Sequence, residues 1–243
     1  MKPSHQENAS PFRKRGFTFI ELLVVIAIVG LLAGLLLPTL AKAKGTALKS
    51  NCASNLRQLG MAWWLYLDDH NDVFPDRRDL KASLPGGYMP WSTWPKSDPR
   101  AGWAAFVLKQ EIEDRRLWSC PALAVGPLKD AAQAAQWSGL DTNSSARVTY
   151  WMWRFDRVDA VVPLDNFWGR TVAGSVTSLR EANNPTAGLP TSASEVELMV
   201  DPYFPNTIPT LPAALRGRSA HLGGRNRLML DGHVEHFRDA RTR

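Results

Sequence analysis

Apolar residues are spread very unevenly along the chain. From Leu22 to Leu37, sixteen consecutive residues carry no polar side chain. Widening the window to Phe17 and Ala41 adds only Thr18, Glu21 and Thr39 as polar interruptions, with Pro38 near its end. As a helix these residues extend about 37 Å, enough to cross the hydrocarbon of a bilayer. Pro38 has no backbone donor and is expected to kink or loosen the helix locally. Gly30 and Gly34, spaced as GxxxG, permit close helix contact, although glycine is also tolerated in membrane helices without a partner.

Beyond Ala41 the pattern becomes periodic. Leu48, Cys52, Leu56, Leu59, Trp63, Tyr66 and Leu67 follow one another at steps of four, three and one, which draws one buried stripe on an amphipathic helix. Lys49, Arg57 and Asp68 lie off that stripe. Gly45 and Gly60 lower local helicity without forbidding it. The run Asp68 to Asp72, followed by Pro75, reads as a helix end entering a loop. One helix is therefore expected from about Phe17 to about Asp69, roughly 80 Å long.

The remainder is loop-rich. Trp103 to Gln110 and Asp130 to Trp137 read as short helices. Val148 to Phe155 and Glu195 to Val200 read as strands, with a linker-like loop over 182–194. Arg227 to Leu230 and His233 to Phe237 flank Asp231-Gly232, which predicts a β-hairpin with a two-residue turn. No internal repeat is present.

Charge changes this picture at one place. Half of the formal +6 lies in the first sixteen residues, where Lys2, Arg13, Lys14 and Arg15 stand against Glu7 alone. A basic cluster just before an apolar span keeps that end cytoplasmic and puts the bulk of the chain on the far side. The remaining excess is mild and scattered, so no nucleic-acid partner is expected. Two cysteines, Cys52 and Cys120, are too few for a disulfide-dense scaffold and form no CxxC metal pattern. Cys52 on the buried stripe reads either as a small core residue or as one end of a bridge to Cys120, if the head lies in an oxidising compartment.

Three readings of the N-terminal block compete. A cleaved secretory signal would end in small residues, whereas this core ends in Leu-Pro-Thr-Leu. A plain anchor explains the length and charge but leaves Glu21 inside an apolar helix, where a carboxylate is costly unless it snorkels or has a role. The third reading comes from the string Arg15-Gly16-Phe17-Thr18-Phe19-Ile20-Glu21, which resembles the processing site of type IV pilins and type II secretion pseudopilins. That resemblance implies cleavage by a membrane prepilin peptidase between Gly16 and Phe17. It also implies N-methylation of Phe17, with Glu21 as the fifth residue of the mature chain and the carboxylate used in subunit assembly. A freed amine at Phe17 can pair with the Glu21 carboxylate of a neighbour, enforcing register, since either charge alone in low dielectric is costly.

The tail has a resemblance of its own. Nine residues separate His221 from Asp231-Gly232, and this His-x9-Asp-Gly pattern resembles the end of a group of pilin-like proteins with the same N-terminal motif. The segment Cys52 to Leu59, Tyr66 and Cys120-Pro121 resemble that group too. The role of the tail is left open, between His221 pinning the Asp231 turn, a metal, and a partner contact. His233 and His236, three apart in a strand, point to opposite faces and cannot readily chelate one ion. No metal site is therefore assigned. The acidic run Asp68 to Asp72 offers oxygen ligands of the kind calcium takes, yet lacks the spacing and glycine of a calcium loop. Structural calcium is thus the one cofactor candidate, with a solvated helix end as the simpler reading.

These readings define an α+β, pilin-like fold: one long N-terminal helix packed on a small antiparallel sheet. They divide the chain into a leader (1–16), a transmembrane and polymerisation half-helix (17–41), an amphipathic half-helix (42–70) and a globular head (71–243). The resemblance implies a structural subunit of a type II secretion pseudopilus or type IV pilus, held in the inner membrane with its head in the periplasm. Its implied partners are related subunits, the prepilin peptidase and an inner-membrane assembly platform. No GxSxG, HExxH or P-loop is present, so no catalytic residue is expected. The rival of another class is a membrane-anchored binding module, because all ten tryptophans fall after residue 62 and exposed ones stack on polymers.

Overall fold

The computed structural model describes residues 17–76, 100–126, 128–131, 134–137, 147–155, 166–183 and 188–242. These fall into two compact units that divide between Lys44 and Gly45. Helix α1 is Phe19–Asp69, with Pro38 inside it. Its end is set by Asn71 and Asp72, both in the left-handed region (φ 55° and 60°), which lets the Asp72 N–H donate back to the Leu67 carbonyl at 2.8 Å.

In the second unit, the expected stripe is the buried face of α1. Cys52, Leu56, Leu59, Trp63 and Leu67 are buried, joined by Gly60 and Ala62, while Leu48 and Tyr66 are half-buried. This face packs on a three-stranded antiparallel sheet of β3 (Glu197–Val200), β6 (Gly224–Met229) and β7 (Val234–Arg238), in the order β3-β6-β7. Gly60 is one point of close approach between helix and sheet. A Cβ there would lie 2.8 Å from Leu228 Cδ1, so the glycine that weakens the helix also admits the strand beneath it. Trp151 extends the sheet by exchanging two backbone hydrogen bonds of 2.9 Å with Val200.

The smaller elements are α2 (Gly102–Val107), α3 (Pro121–Val125), α4 (Val172–Ala182), the pair β1 (Gln136–Trp137) and β2 (Arg147–Val148), and the pair β4 (Tyr203–Phe204) and β5 (Arg218–Ser219). Several differ from the sequence reading. Over 148–155 the strand stops at Val148, and Trp153–Phe155 form a 3-10 turn, because those aromatic side chains fill the core instead of a ladder. The described part of 130–137 is a turn at Asp130, a 3-10 residue at Ala134 and the strand Gln136–Trp137, not an α-helix. Helix α4 was not expected. Its Ser, Thr, Gly and Val content is poor in helix formers, and it is started by Thr171, whose Oγ1 accepts the Gly174 N–H at 3.0 Å. Phe74, Trp103, Phe155, Phe167 and Trp168 gather around Trp63 as an aromatic core, with ring centroids 4.7–6.3 Å apart in the closest pairs.

That core sets an expectation for stability. Trp63→Ala removes a fully buried indole and should destabilise the head by about 3–5 kcal/mol. Met61→Ala, on the exposed face of the same helix, should change it by less than about 0.5 kcal/mol. Denaturant melts of the detergent-solubilised chain, followed by tryptophan fluorescence, make the comparison.

Candidate functional site

The N-terminal end of α1 is built by a local hydrogen-bond exchange. Thr18 is the cap: its Oγ1 accepts the Glu21 backbone N–H at 3.2 Å. Glu21 reaches back, and its Oε2 accepts the Thr18 N–H at 2.8 Å and the Thr18 hydroxyl at 2.7 Å. This is a capping box. The Thr18-x-x-Glu21 spacing announces it, a role for Glu21 within its own chain that the family resemblance does not supply. The carboxylate is thereby held at the positive end of the helix dipole, beside Phe17. Gly16 lies outside the described residues.

Every large apolar side chain from Phe17 to Leu40 is exposed, from 48% at Val24 to 77% at Phe19. Beyond the helix's own neighbouring backbone, a Cβ at Gly30 or Gly34 would meet no atom of the described residues within 4 Å. A continuous apolar surface of this size belongs in lipid or against other apolar helices, not in water. The segment is long and apolar enough to cross a membrane. The Thr39 hydroxyl, beside Pro38, is satisfied by donating to the Leu36 carbonyl at 2.7 Å.

A family description, the prokaryotic N-terminal methylation motif, matches residues 11–37. The N-terminal segment thus carries this methylation motif and is similar to the N-terminal segments of pilins and pseudopilins. Curated relatives agree. The chain is 38% identical to type II secretion system core protein G of Pectobacterium carotovorum subsp. carotovorum over 73 residues, 30% of this chain and 47% of that protein. It is 42% identical to the protein of the same name from Escherichia coli (strain K12) over 60 residues, 24% of this chain and 41% of that one. Type IV major pilin protein PilA of Myxococcus xanthus (strain DK1622) is 43% identical over 47 residues, 19% of this chain and 21% of that protein. The chain thus spans less than half the length of these relatives. No solved structure matches it.

Beyond this pilin-type segment, the second group of candidates lies in the head. Cys52 on α1 and Cys120, just before α3, form a disulfide with Cα atoms 5.0 Å apart. Cys120 is positioned from both sides. Its N–H donates to Thr149 Oγ1 at 2.8 Å, and the neighbouring Ser119 carbonyl accepts Asn55 Nδ2 of α1 at 3.2 Å. The bridge closes a sequence separation of 68 residues.

The tail residues separate into two places. His221 is buried and pairs through Nε2 with Asp201 Oδ2 at 3.0 Å, and the same nitrogen lies 3.6 Å from Cys120 Sγ. The turn formed by Asp231 and Gly232 is elsewhere. Asp231 Oδ1 accepts the His233 backbone N–H at 3.1 Å and faces His233 Nδ1 at 2.6 Å. The expected pin from His221 to the Asp231 turn is therefore replaced by a pin from His221 to Asp201. Asp201 was missed because a lone aspartate after a strand carries no spacing signal.

The hairpin loop holds three residues, Leu230 to Gly232, not two. The Met229 N–H donates to the His233 carbonyl at 2.8 Å, and the Gly232 N–H donates to the Met229 carbonyl at 2.9 Å. Gly232 has φ +90°, and a Cβ there would sit 2.7 Å from Trp64 Nε1 of α1, so glycine is needed twice over. Asn226 ties these parts together: its N–H donates to Asp201 Oδ2 at 2.9 Å and its Nδ2 to the Lys49 carbonyl of α1 at 3.1 Å. His236 faces Asn226 Oδ1 at 3.2 Å, so it and His233 serve different partners.

Most of the described tryptophans are turned inward, and Trp153 is half-buried. Trp63, Trp103, Trp118, Trp151 and Trp168 are buried, and Trp64, the exposed one, lies over the hairpin turn. Trp91, Trp94 and Trp137 have no described side chain.

The C-terminal strand is fastened by charge. Asp239 is buried, accepts Arg241 Nε at 2.8 Å and Nη2 at 2.6 Å, and pairs with buried Arg225, whose guanidinium lies 3.8 Å from the Tyr203 ring centroid. Hydrogen bonds from the Arg241 side chain, then its backbone N–H and the Arg225 charge, hold the Asp239 carboxyl well below the usual range against the opposing effect of burial. Burial pushes Tyr203 up to about 12. A depressed carboxyl binds fewer protons in the native state. Its contribution is therefore complete above the unfolded value near 3.9 and is lost as pH falls through the folded value. Acid unfolding should show this loss below about pH 4, and Asp239→Asn should flatten that limb while lowering stability at neutral pH. A pH series of thermal melts reads both.

Proposed function

We propose that this chain is the precursor of a structural subunit that polymerises into a pilus- or pseudopilus-type filament from the inner membrane. The observation that carries the reading is an apolar half-helix, left uncovered by the described residues of its own chain, headed by a Gly16-Phe17 junction and a carboxylate at Glu21. Prepilin peptidase cuts after Gly16 on the cytoplasmic side, where the Arg13, Lys14 and Arg15 cluster holds the leader. The new Phe17 amine is methylated and keeps its positive charge.

Before assembly, the half-helix rests in lipid with the Glu21 carboxylate engaged by Thr18. In a filament, the lipid is replaced by the same surface of neighbouring subunits, and Gly30 and Gly34 allow close approach. The amine of one subunit then meets the carboxylate of the next. The capping box prepares this meeting: it turns the carboxylate toward the helix N-terminus, so little side-chain freedom remains to be lost on pairing. A mismatched register leaves a charge unpaired in an apolar surround, which costs far more than the correct pair gains. The head faces the periplasm, where the Cys52–Cys120 disulfide persists. An inner-membrane platform supplies subunits to the growing base, and no catalytic step is assigned to the chain.

Intact-mass analysis of protein purified from membranes tests the reading. The expected mature chain begins at Phe17 and carries one extra methyl group, Gly16→Val retains the leader, and Glu21→Gln is processed but absent from filaments. A chain keeping residues 1–16 in wild-type cells would instead mark a permanently anchored protein.

A further inference from the structure

One cluster in the head is not used by the filament reading. Cys52, Cys120, Asp201 and His221 come from α1, the start of α3, the end of β3 and the link from β5 to β6. One ligand atom from each lies within 4.8 Å of all the others. All four are sealed from water, at 0%, 2%, 0% and 6% exposure.

A purely structural hydrogen bond between His221 and Asp201 accounts for half of the carboxylate. Oδ2 is satisfied by His221 Nε2 and by the Asn226 N–H. Oδ1 is buried with no hydrogen-bond partner among the described residues. Leaving a buried carboxylate oxygen unpaired is costly, and a bound cation is one arrangement that would satisfy it.

We propose that the reduced form of this cluster is a closed, four-coordinate metal site of the zinc class, with Cys52 Sγ, Cys120 Sγ, His221 Nε2 and an Asp201 oxygen as ligands. Two thiolates, one imidazole and one carboxylate form a zinc donor set, and the thiolates exclude calcium and magnesium. Metal–ligand bonds of about 2.0–2.3 Å arranged tetrahedrally put ligand atoms about 3.3–3.8 Å apart. The His221 Nε2 to Cys120 Sγ distance of 3.6 Å already falls in that range. Metal binding requires the two sulfurs to part and the remaining ligand atoms, all within 4.8 Å of one another, to adjust around the ion. The imidazole binds neutral, so two thiolates and a carboxylate neutralise the dication and leave one net negative charge.

Metal and disulfide are then alternative states of the same pair. A newly made chain carries both cysteines as thiols. Metal binding releases their two protons and clamps α1 to the sheet before any bridge exists. A two-electron oxidant of the disulfide class removes two electrons from the thiolates, forms the S–S bond, becomes a dithiol by taking up two protons, and releases the metal. The site therefore holds the helix in place in either redox state, where a bridge alone holds it in one.

The test uses the full chain in detergent. A water-soluble phosphine reduces the disulfide by taking oxygen from water to become the phosphine oxide, giving each sulfur one proton. Anaerobic titration with Co²⁺ should then show one ion per reduced chain, with thiolate charge-transfer and tetrahedral ligand-field bands that Zn²⁺ abolishes. The oxidised chain should take up none. Asp201→Asn and His221→Ala should each weaken binding at least about tenfold, while His233→Ala should leave it unchanged. Absence of stoichiometric uptake by the reduced wild-type chain overturns the proposal, whatever the folding of the variants. Equal uptake by the oxidised chain, or uptake untouched by both substitutions, overturns it as well.

Discussion

The apolar surface of the first half of α1 is left uncovered by the described residues of its own chain. That constraint governs everything else. The residues from Phe17 to Leu40 are exposed on all sides of the helix, so they belong in lipid or against other chains of the same character. The second half of the same helix obeys the opposite rule. Its stripe from Cys52 to Leu67 is buried by a sheet, a disulfide and an aromatic core. One continuous element thus carries two solvents' worth of sequence, and the change from unbroken apolarity to a 3–4 period marks the switch.

Glu21 stands at the point where these demands meet. A carboxylate at the head of an apolar helix is tolerated because Thr18 donates to it twice. Those two bonds aim it at the helix N-terminus, where it complements the dipole and sits beside the amine that cleavage would create. In the proposed filament the same group answers a positive charge from outside. Local capping and assembly are therefore successive uses of one geometry.

Much of the architecture was legible in the sequence, for reasons that differ by element. Helix α1 announces itself by length and periodicity, its end by Asp68 to Asp72, and the last hairpin by Asp231-Gly232. The hairpin loop came out one residue longer, since Leu230 turns into the core and the glycine takes the left-handed position. Residues 148–155 misled because Tyr150, Trp151 and Phe155 look like a strand, whereas they pack as core side chains around short backbone pairings. Helix α4 was hidden by low propensity, although Thr171 and the buried Ser175, Val176 and Leu179 at helical spacing were there to be read. The partnership of His221 with Asp201 was not legible at all. It depends on where β3 ends relative to β5, and no local pattern encodes that.

The central claim is that the exposed half-helix is an assembly surface and not merely an anchor. A photo-crosslinking residue placed at Leu31, which is 66% exposed, tests this inside cells. The account predicts a ladder of crosslinked multimers made only of leader-free chains, lost when Glu21 is neutralised. Crosslinks to lipid alone, with the processed chain remaining monomeric, would contradict it.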